Sequence, residues 1–463
     1  RTVLFCSPHH TQTALYPIIF QLEKDAGILP EDADEIAFEK LRSLLPELLE
    51  KDPANGRLFA NLLGRKFDAH LGALEMAPKQ MRARTIELLT SYLLMRPNGA
   101  PSLIIVEDIH WIDQTTIEVL LACLSLPDAR KTFFLMVGRS DGTPAALSAV
   151  IDDQMNLTRL DTVSAHAIVM ELTKGKGLPD RLFDEIFRKT DGVPLFVQDL
   201  TKMIIESDKI EETDTEYRLT GPISSLAIPS SLHDSLMARL DRLEHAKKTA
   251  QIAACIGRTF DFDILSDLTL QSPAEMKHSL DELIEAELVA TPEAGSSIYS
   301  FCHALVCDAA YESLLKSQRR RIHARVAEHM ERQSASLETL AYHHEAAGHF
   351  MSAAKCLLGA GRNALRISAA VEAIDRFQKG IDLLETLPST GETKHLEMLL
   401  LGMLGIGFMQ TKSWGAVEVD QAYSKALKLV DETDNVTERI WVIWGAWVYQ
   451  QVHGQIGESQ SKA

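Results

Sequence analysis

The sequence predicts an α/β layer at its N-terminal end, followed by helices for most of the remaining chain. Over residues 1–140, amphipathic helical patterns alternate with short apolar runs, the signature of a parallel sheet covered by helices. One of those runs, Leu103-Ile-Ile-Val106, is continuously apolar and β-branched, as a strand buried on both faces must be. Beyond about residue 141 the strand pattern fades, and 333–463 reads as helix throughout, with small residues where helices must touch. At about 100–200 residues per domain, 463 residues make two to four domains.

In chain order, Arg1–Cys6 is predicted as a strand, and Leu15–Ala26 and Glu35–Leu49 as amphipathic helices. Lys79–Met95 is a further helix, stopped by Arg96-Pro97-Asn98-Gly99. The run from Ser102 ends in Glu107-Asp108, and a helix follows over Thr115–Leu126 with Asp113 as its N-cap. Thr132–Val137 is predicted as the next buried strand. Thr162–Leu172, Asp180–Lys189 and Leu195–Glu206 are helices, the last two separated by the breaker Asp191-Gly192-Val193-Pro194. Residues 207–228, with Gly221-Pro222, read as a polar linker. Residues 229–332 are helix-rich with one hairpin, Leu288–Thr291 against Ser297–Phe301 across Pro292–Gly295, the pattern of a winged-helix domain.

In 333–463, Gly361, Ala373, Phe377 and Gly380 fall at the small/small/aromatic/small spacing of a tetratricopeptide helix pair. Ile406-Gly407, Val419, Tyr423 and Ala426 repeat it, but Phe377 and Tyr423 are 46 residues apart, more than the usual ~34. Irregular helical hairpins stacked side by side are therefore predicted.

Composition excludes several classes. At 46% hydrophobic and 24% charged the chain is an ordinary globular one. A formal charge of -18 repels phosphate backbones and anionic lipids, so neither nucleic acid nor membrane is a predicted partner. No apolar stretch approaches the ~20 residues a bilayer needs, and no signal peptide is visible. The six cysteines match no zinc or redox spacing and read as buried thiols in a reducing cytoplasm. The chain opens on Arg-Thr-Val-Leu-Phe-Cys-Ser, a strand pattern already under way, which predicts a fragment lacking its N-terminal part.

The chemistry-bearing residues begin with Glu107 and Asp108 at the end of an apolar strand, the place where ligands sit in open parallel sheets. In P-loop nucleotidases one such acid holds Mg²⁺ and the next positions or deprotonates water. Taken alone the pair also fits a strand ending in solvated acids. His110, Trp111 and Asp113 follow directly, and one strand later Arg139 could reach a terminal phosphate or equally cap a helix. Arg319-Arg-Arg321 reads as a solvated helix face rather than a phosphate patch. His343, His344 and His349 meet no zinc spacing. Trp441, Trp444 and Trp447 read as a core stripe that could alternatively dock a partner.

Val106-Glu-Asp-Ile-His-Trp-Ile-Asp113 resembles the Walker B stretch of the STAND class of AAA-related ATPases, and most closely the ATPase region that follows the catalytic domain in many bacterial class III adenylate cyclases. Similar matches run through Cys6-Ser-Pro-His-His, Thr190-Asp-Gly-Val-Pro-Leu-Phe-Val197, Ala238-Arg-Leu-Asp-Arg-Leu243, Cys255-Ile-Gly-Arg-Thr-Phe260, Phe301-Cys-His-Ala-Leu-Val306, Ala310-Tyr-Glu-Ser-Leu-Leu315, Tyr342-His-His-Glu-Ala-Ala-Gly348 and Asn363–Leu387.

The resemblance implies an incomplete α/β P-loop NTPase core over 1–140, a helical lid over 141–222, a winged helix over 223–332 and tetratricopeptide-like repeats over 333–463. It implies that Glu107 holds Mg²⁺, where relatives usually have Asp, that Asp108 activates water and that Arg139 senses the phosphate. Gly192 and Pro194 would make the lid contact to adenine, and His303 would reach the β-phosphate of ADP. Cys302 stands where the cyclase relatives commonly carry Arg, which leaves a second basic contact in question. No Gly-x-x-x-x-Gly-Lys-Ser/Thr occurs, so the phosphate cradle is expected upstream of Arg1. The implied function is an ATP/ADP switch whose repeats bind a protein or small-molecule effector and whose output is an attached cyclase domain. A transcription regulator with a downstream helix-turn-helix, and a non-enzymatic repeat scaffold, are the alternatives.

Overall fold

The computed structural model describes the chain apart from residues 8, 9, 12, 30, 31, 66, 68–75, 96–99, 128–130, 140, 141, 208, 222–230, 270, 292–296, 334, 433, 434 and 453–463. The predicted breaker at 96–99, the hairpin turn at 292–295, Pro222 of the linker, and residues 8 and 9 lie outside the described residues. The described chain falls into two compact units, Arg1–Gln154 with Ser334–Ala463, and Met155–Gln333.

The first unit opens with β1 (Thr2–Phe5), α1 (Tyr16–Ala26), α2 (Asp34–Leu44), α3 (Pro46–Lys51), α4 (Pro53–Leu62) and α5 (Pro78–Leu93). The single helix predicted over 35–49 is two, because Pro46 has no N–H to donate and starts a new helix at its first position. There follow β2 (Ser102–Glu107), a 3₁₀ turn at Ile109–Trp111, α6 (Gln114–Ser125), β3 (Thr132–Met136) and α7 (Ala145–Ser148). The three strands form a parallel sheet in the order β1-β2-β3, with Phe5 beside Glu107 and Val106 beside Met136.

One face of this sheet packs Leu4, Ile104 and Val106 onto Ile18 and Leu22 of α1, Leu88 and Leu89 of α5, and Ile117 and Leu120 of α6. Each such side chain fully buried contributes about 1.5–3 kcal/mol. The strand expected to be buried at 132–137 is instead an edge strand. Its alternate residues Phe133 and Leu135 are 66% and 42% exposed, and Phe5 on the same face is also exposed. Among the described residues, this face lacks the helical cover that parallel sheets ordinarily carry.

The second unit begins with α8 (Thr162–Leu172), α9 (Asp180–Thr190) and α10 (Pro194–Ile205), packed through Val169, Phe183, Ile186, Val197 and Leu200. The segment read as a linker holds a short antiparallel hairpin, β4 (Ile210–Glu212) and β5 (Tyr217–Leu219). Then come α11 (Leu232–Arg242), α12 (Glu244–Ile256), β6 (Thr259–Asp261), α13 (Phe262–Leu268), α14 (Pro273–Glu285), β7 (Val289–Ala290), β8 (Ile298–Phe301), α15 (Ala304–Glu312) and α16 (Lys316–Arg332). The predicted hairpin is present as β7 against β8. A third strand, β6, pairs on the other side of β8, with Phe260 and Phe301 in the core. A three-residue strand is too short for alternation to reveal it.

The first unit resumes with α17 (Leu337–Ala347), α18 (Phe350–Arg366), α19 (Ala370–Glu385), α20 (Gly391–Thr411), α21 (Val417–Leu427) and α22 (Val436–Val452). Each helix packs on the next. A Cβ at Gly361 would fall on the ring of Phe377, and a Cβ at Gly405 on that of Tyr423. The glycine that opens the second notch is thus Gly405, not the predicted Gly407, which faces Ile374. A longer α20 shifts the register, so the second pair does not copy the first residue for residue.

Candidate functional site

β2 is the central strand, and its end is where the sequence placed the two acids. Val137 N–H donates to Val106 O at 2.8 Å, Cys6 N–H to Glu107 O at 3.1 Å and Ile109 N–H to Val137 O at 2.9 Å. Between these bonds the backbone of Asp108 turns left-handed, at φ 56° and ψ 45°. Only Gly, Asn and Asp take this region readily. The turn ends the strand and starts the 3₁₀ segment, so Glu107 and Asp108 leave the chain in different directions from one point.

Both acids are half-buried. Burial pushes the Cys6 thiol up to about 12, with the negative fields of Asp113 and Asp108 adding to it, so this cysteine stays protonated and inert. Arg139 follows β3 and is exposed, its guanidinium carbon 6.0 Å from the centroid of the Trp111 ring, which in turn packs on His110 at 4.2 Å. The structure therefore brings the acid pair, Trp111 and Arg139 to one end of the sheet. A half-buried carboxylate pair offers hard oxygen donors of the kind that hold Mg²⁺, which is usually bound by one or two carboxylates with waters and phosphates. No group of three or more metal-capable side chains occurs among the described residues.

Asp113 is the predicted N-cap of α6, and it does more than cap. Its Oδ1 accepts the Thr116 N–H at 2.8 Å and also the Leu15 N–H at 2.9 Å, while Thr116 Oγ1 donates to Oδ2 at 2.6 Å. Leu15 is itself left-handed, at φ 62°, just before α1. Burial pushes Asp113 up to about 6, against the pull of its Thr116 and Leu15 hydrogen bonds, with Glu372 adding a further upward push.

Gly192, Pro194 and His303 belong to the second unit. Gly192 has φ 68°, and a Cβ there would meet Leu160 O, so no other residue fits without strain. Its carbonyl accepts the Leu160 N–H at 2.8 Å. Pro194 is the first residue of α10, where its fixed φ and missing N–H cost nothing. His303 is the exposed residue before α15 and makes no capping bond, so it is not a core histidine.

Sequence reasoning missed the ion pair beside His303. Arg239 Nη1 donates to Asp199 Oδ1 at 2.8 Å, and Arg239 also donates to Ala286 O. Asp199 is buried and sits above its usual range because of that burial, restrained by Arg239, Lys202 and His303. Arg239 is close enough to Cys302 to oppose the upward shift that burial and Glu287 impose on that thiol. A guanidinium thus stands near Cys302. Its signal in sequence was only one of the two arginines on α11.

The lesser candidates resolve differently. Arg319 donates to Leu314 O and Glu312 O and lies 4.8 Å over the Tyr311 ring, while Arg320 and Arg321 are exposed. His343 and His344 are buried within α17. The tryptophan stripe divides, with Trp441 against Gly402 and Trp444 exposed. No described helix is long and apolar enough to cross a membrane.

No family model matches the chain. The chain is 25% identical over 466 residues to an uncharacterized protein of Rhizobium meliloti (strain 1021), covering 96% of this chain and 44% of that protein. It therefore spans less than half the length of that relative. Among solved structures, it is similar to a Signal Transduction ATPase with Numerous Domains (STAND) protein with a tetratricopeptide repeat sensor from Pyrococcus horikoshii. That similarity has a TM-score of 0.40 and 13% identity, covering 99% of this chain and 66% of the other.

Proposed function

We propose that the chain is the regulatory region of a nucleotide-dependent signalling switch. Its parts are a P-loop-type core carrying the acid pair, a helical lid, a winged helix with His303 just before α15, and a repeat array that receives a protein or small-molecule effector. The observation that supports this best is the placement of Glu107 and Asp108 at the tip of the central parallel strand, with Arg139 just beyond its neighbour. Glu107 would hold Mg²⁺, which supplies charge neutralisation for the phosphates. Asp108 would orient a water and accept its proton, and Arg139 would reach the terminal phosphate. In the second unit, Pro194 would pack on adenine and His303 would reach the β-phosphate in the ADP state.

The phosphate loop is not encoded in the 463 residues. The exposed face with Phe5, Phe133 and Leu135 is where further elements of such a core would pack, and an attached cyclase domain as output belongs to the same proposal.

The test is a titration of Mg·ATP followed by amide NMR. The reading expects affinity weaker than micromolar, because the backbone cradle for the phosphates is not in this chain. It also expects shifts at Glu107, Asp108 and Arg139 that vanish in Glu107→Gln. Tight, Mg²⁺-dependent binding would contradict this placement of the site, and no shift at millimolar nucleotide would favour the repeat-scaffold alternative.

A further inference from the structure

The N-terminus of α6 is closed by two carboxylates from distant parts of the chain. Asp113, just before the helix, accepts the Thr116 N–H. Glu372, on α19 of the repeat array, accepts the Thr115 N–H at 3.0 Å and the Thr115 hydroxyl at 2.5 Å. Glu372 is 2% exposed, and among the described residues its Oε2 has no hydrogen-bond partner, so the hydrogen bonds that hold this carboxylate are those from Thr115 to Oε1. One turn further along α19, the equally buried Arg376 pairs with Glu338 of α17 at 3.5 Å and lies in the fields of Glu372, Asp113 and Asp375.

A second tie runs alongside. Arg82 of α5 grips Glu118 of α6 with two nitrogens, at 2.8 and 3.1 Å, and donates to Ser368 O at 2.6 Å, just before α19.

The first N–H groups of a helix lack partners within it, and a buried carboxylate without donors is costly. The Thr115 N–H therefore depends on Glu372 and the Glu372 carboxylate on Thr115, while the Thr115 hydroxyl also accepts from Arg82 Nη2 at 3.4 Å. The contact also lies on the short segment that bears the acid pair. From Asp108 the chain makes one 3₁₀ turn to Asp113, and Asp113 fixes both the start of α6 and the lead into α1.

We infer that Glu372 is a positioning residue for Glu107 and Asp108. Through Thr115 and the Asp113 corner, it makes the setting of the strand-end loop depend on how α19 is seated. A ligand that reseats the repeat helices then moves the acids without touching them, because it binds the two settings unequally. The inference takes from the preceding section only that these acids are the groups being positioned.

The test is hydrogen exchange on the 463-residue chain without nucleotide, so its outcome is independent of whether ATP binds. Glu372→Ala should speed exchange over 109–116 and at Leu15 by roughly tenfold or more, the scale expected for loss of a hydrogen bond to a charged group. Exchange in α20 and in α12 and α14 should not change. Glu372→Gln keeps an oxygen acceptor for the Thr115 N–H and should restore most of the protection. Thr115→Val, which removes only the hydroxyl, should produce a smaller change over the same residues. Acceleration confined to α19, uniform acceleration across the chain, or no rescue by Gln would overturn the inference.

Discussion

Leu15 and Asp113, 98 residues apart, are joined by a hydrogen bond of 2.9 Å from the backbone N–H of one to the carboxylate of the other. That bond closes a buried corner in which one side chain serves two helix starts. Because the same carboxylate is raised to about 6, the corner titrates within reach of ordinary buffers.

Asp113→Asn isolates that titration. The native carboxyl has a folded pKa above its unfolded value of 3.8, so its contribution is fully present below pH 4 and is lost as pH rises through 6. Asn keeps an acceptor for both N–H groups but does not titrate. Its stability relative to the native chain should improve by on the order of 2 kcal/mol between pH 4 and pH 7. Urea denaturation at the two pH values reads this directly, and a pH-independent difference would count against the raised pKa.

Asp108→Gly should raise stability while removing the carboxylate. A non-glycine residue at φ 56° carries strain that Gly releases, by roughly 0.5–1 kcal/mol, offset in part by greater freedom of the unfolded chain. The expected result is a melting temperature equal to or above the native one, and a clear fall would mean that the side chain is holding the turn. Asp108→Asn, which tolerates the same backbone, should leave stability unchanged.

His303→Ala should cost less than ~0.5 kcal/mol of stability, because the residue is exposed and makes no cap. If it meets ADP as proposed, basal output of a protein carrying the output domain should rise and ADP should dissociate faster. A large stability loss with flat output would remove His303 from the site.

Phe377→Ala should cost about 3–5 kcal/mol, the usual range for emptying a core aromatic site. Gly361→Ala should also destabilise, by about 1–3 kcal/mol, because the added methyl falls on the Phe377 ring. In Phe377→Leu the same Gly361→Ala change should cost measurably less, which a double-mutant cycle in urea would detect.

Much of the architecture is legible in the sequence because it rests on local signals. The β2 run, the Asp113 cap, the Gly192-Val-Pro194 breaker and the helices from α8 to α10 all announce themselves within a few residues. What is not legible depends on contacts across the chain. Pro46 marks a helix start plainly enough, but the exposure of Phe133 and Leu135 depends on what covers the sheet. The role of Glu372 is hidden because a Glu on an amphipathic helix reads as solvated, and its partner Thr115 is 257 residues away. For the site, the acid pair and Arg139 are visible, whereas the Asp199–Arg239 pair beside His303 joins two helices that no spacing rule connects.

The notches in the repeat array also constrain how the sequence can drift. Phe377 fills the space left by Gly361, and Tyr423 sits between Gly405 and Gly445, each of which would clash with it if it gained a methyl. A larger residue at 361 becomes tolerable only after 377 has shrunk, and any change at 423 is felt at two positions at once. These sites should therefore covary across homologues, 361 with 377 as a pair and 405, 423 and 445 as a triplet, even where the exposed surface of the array has diverged.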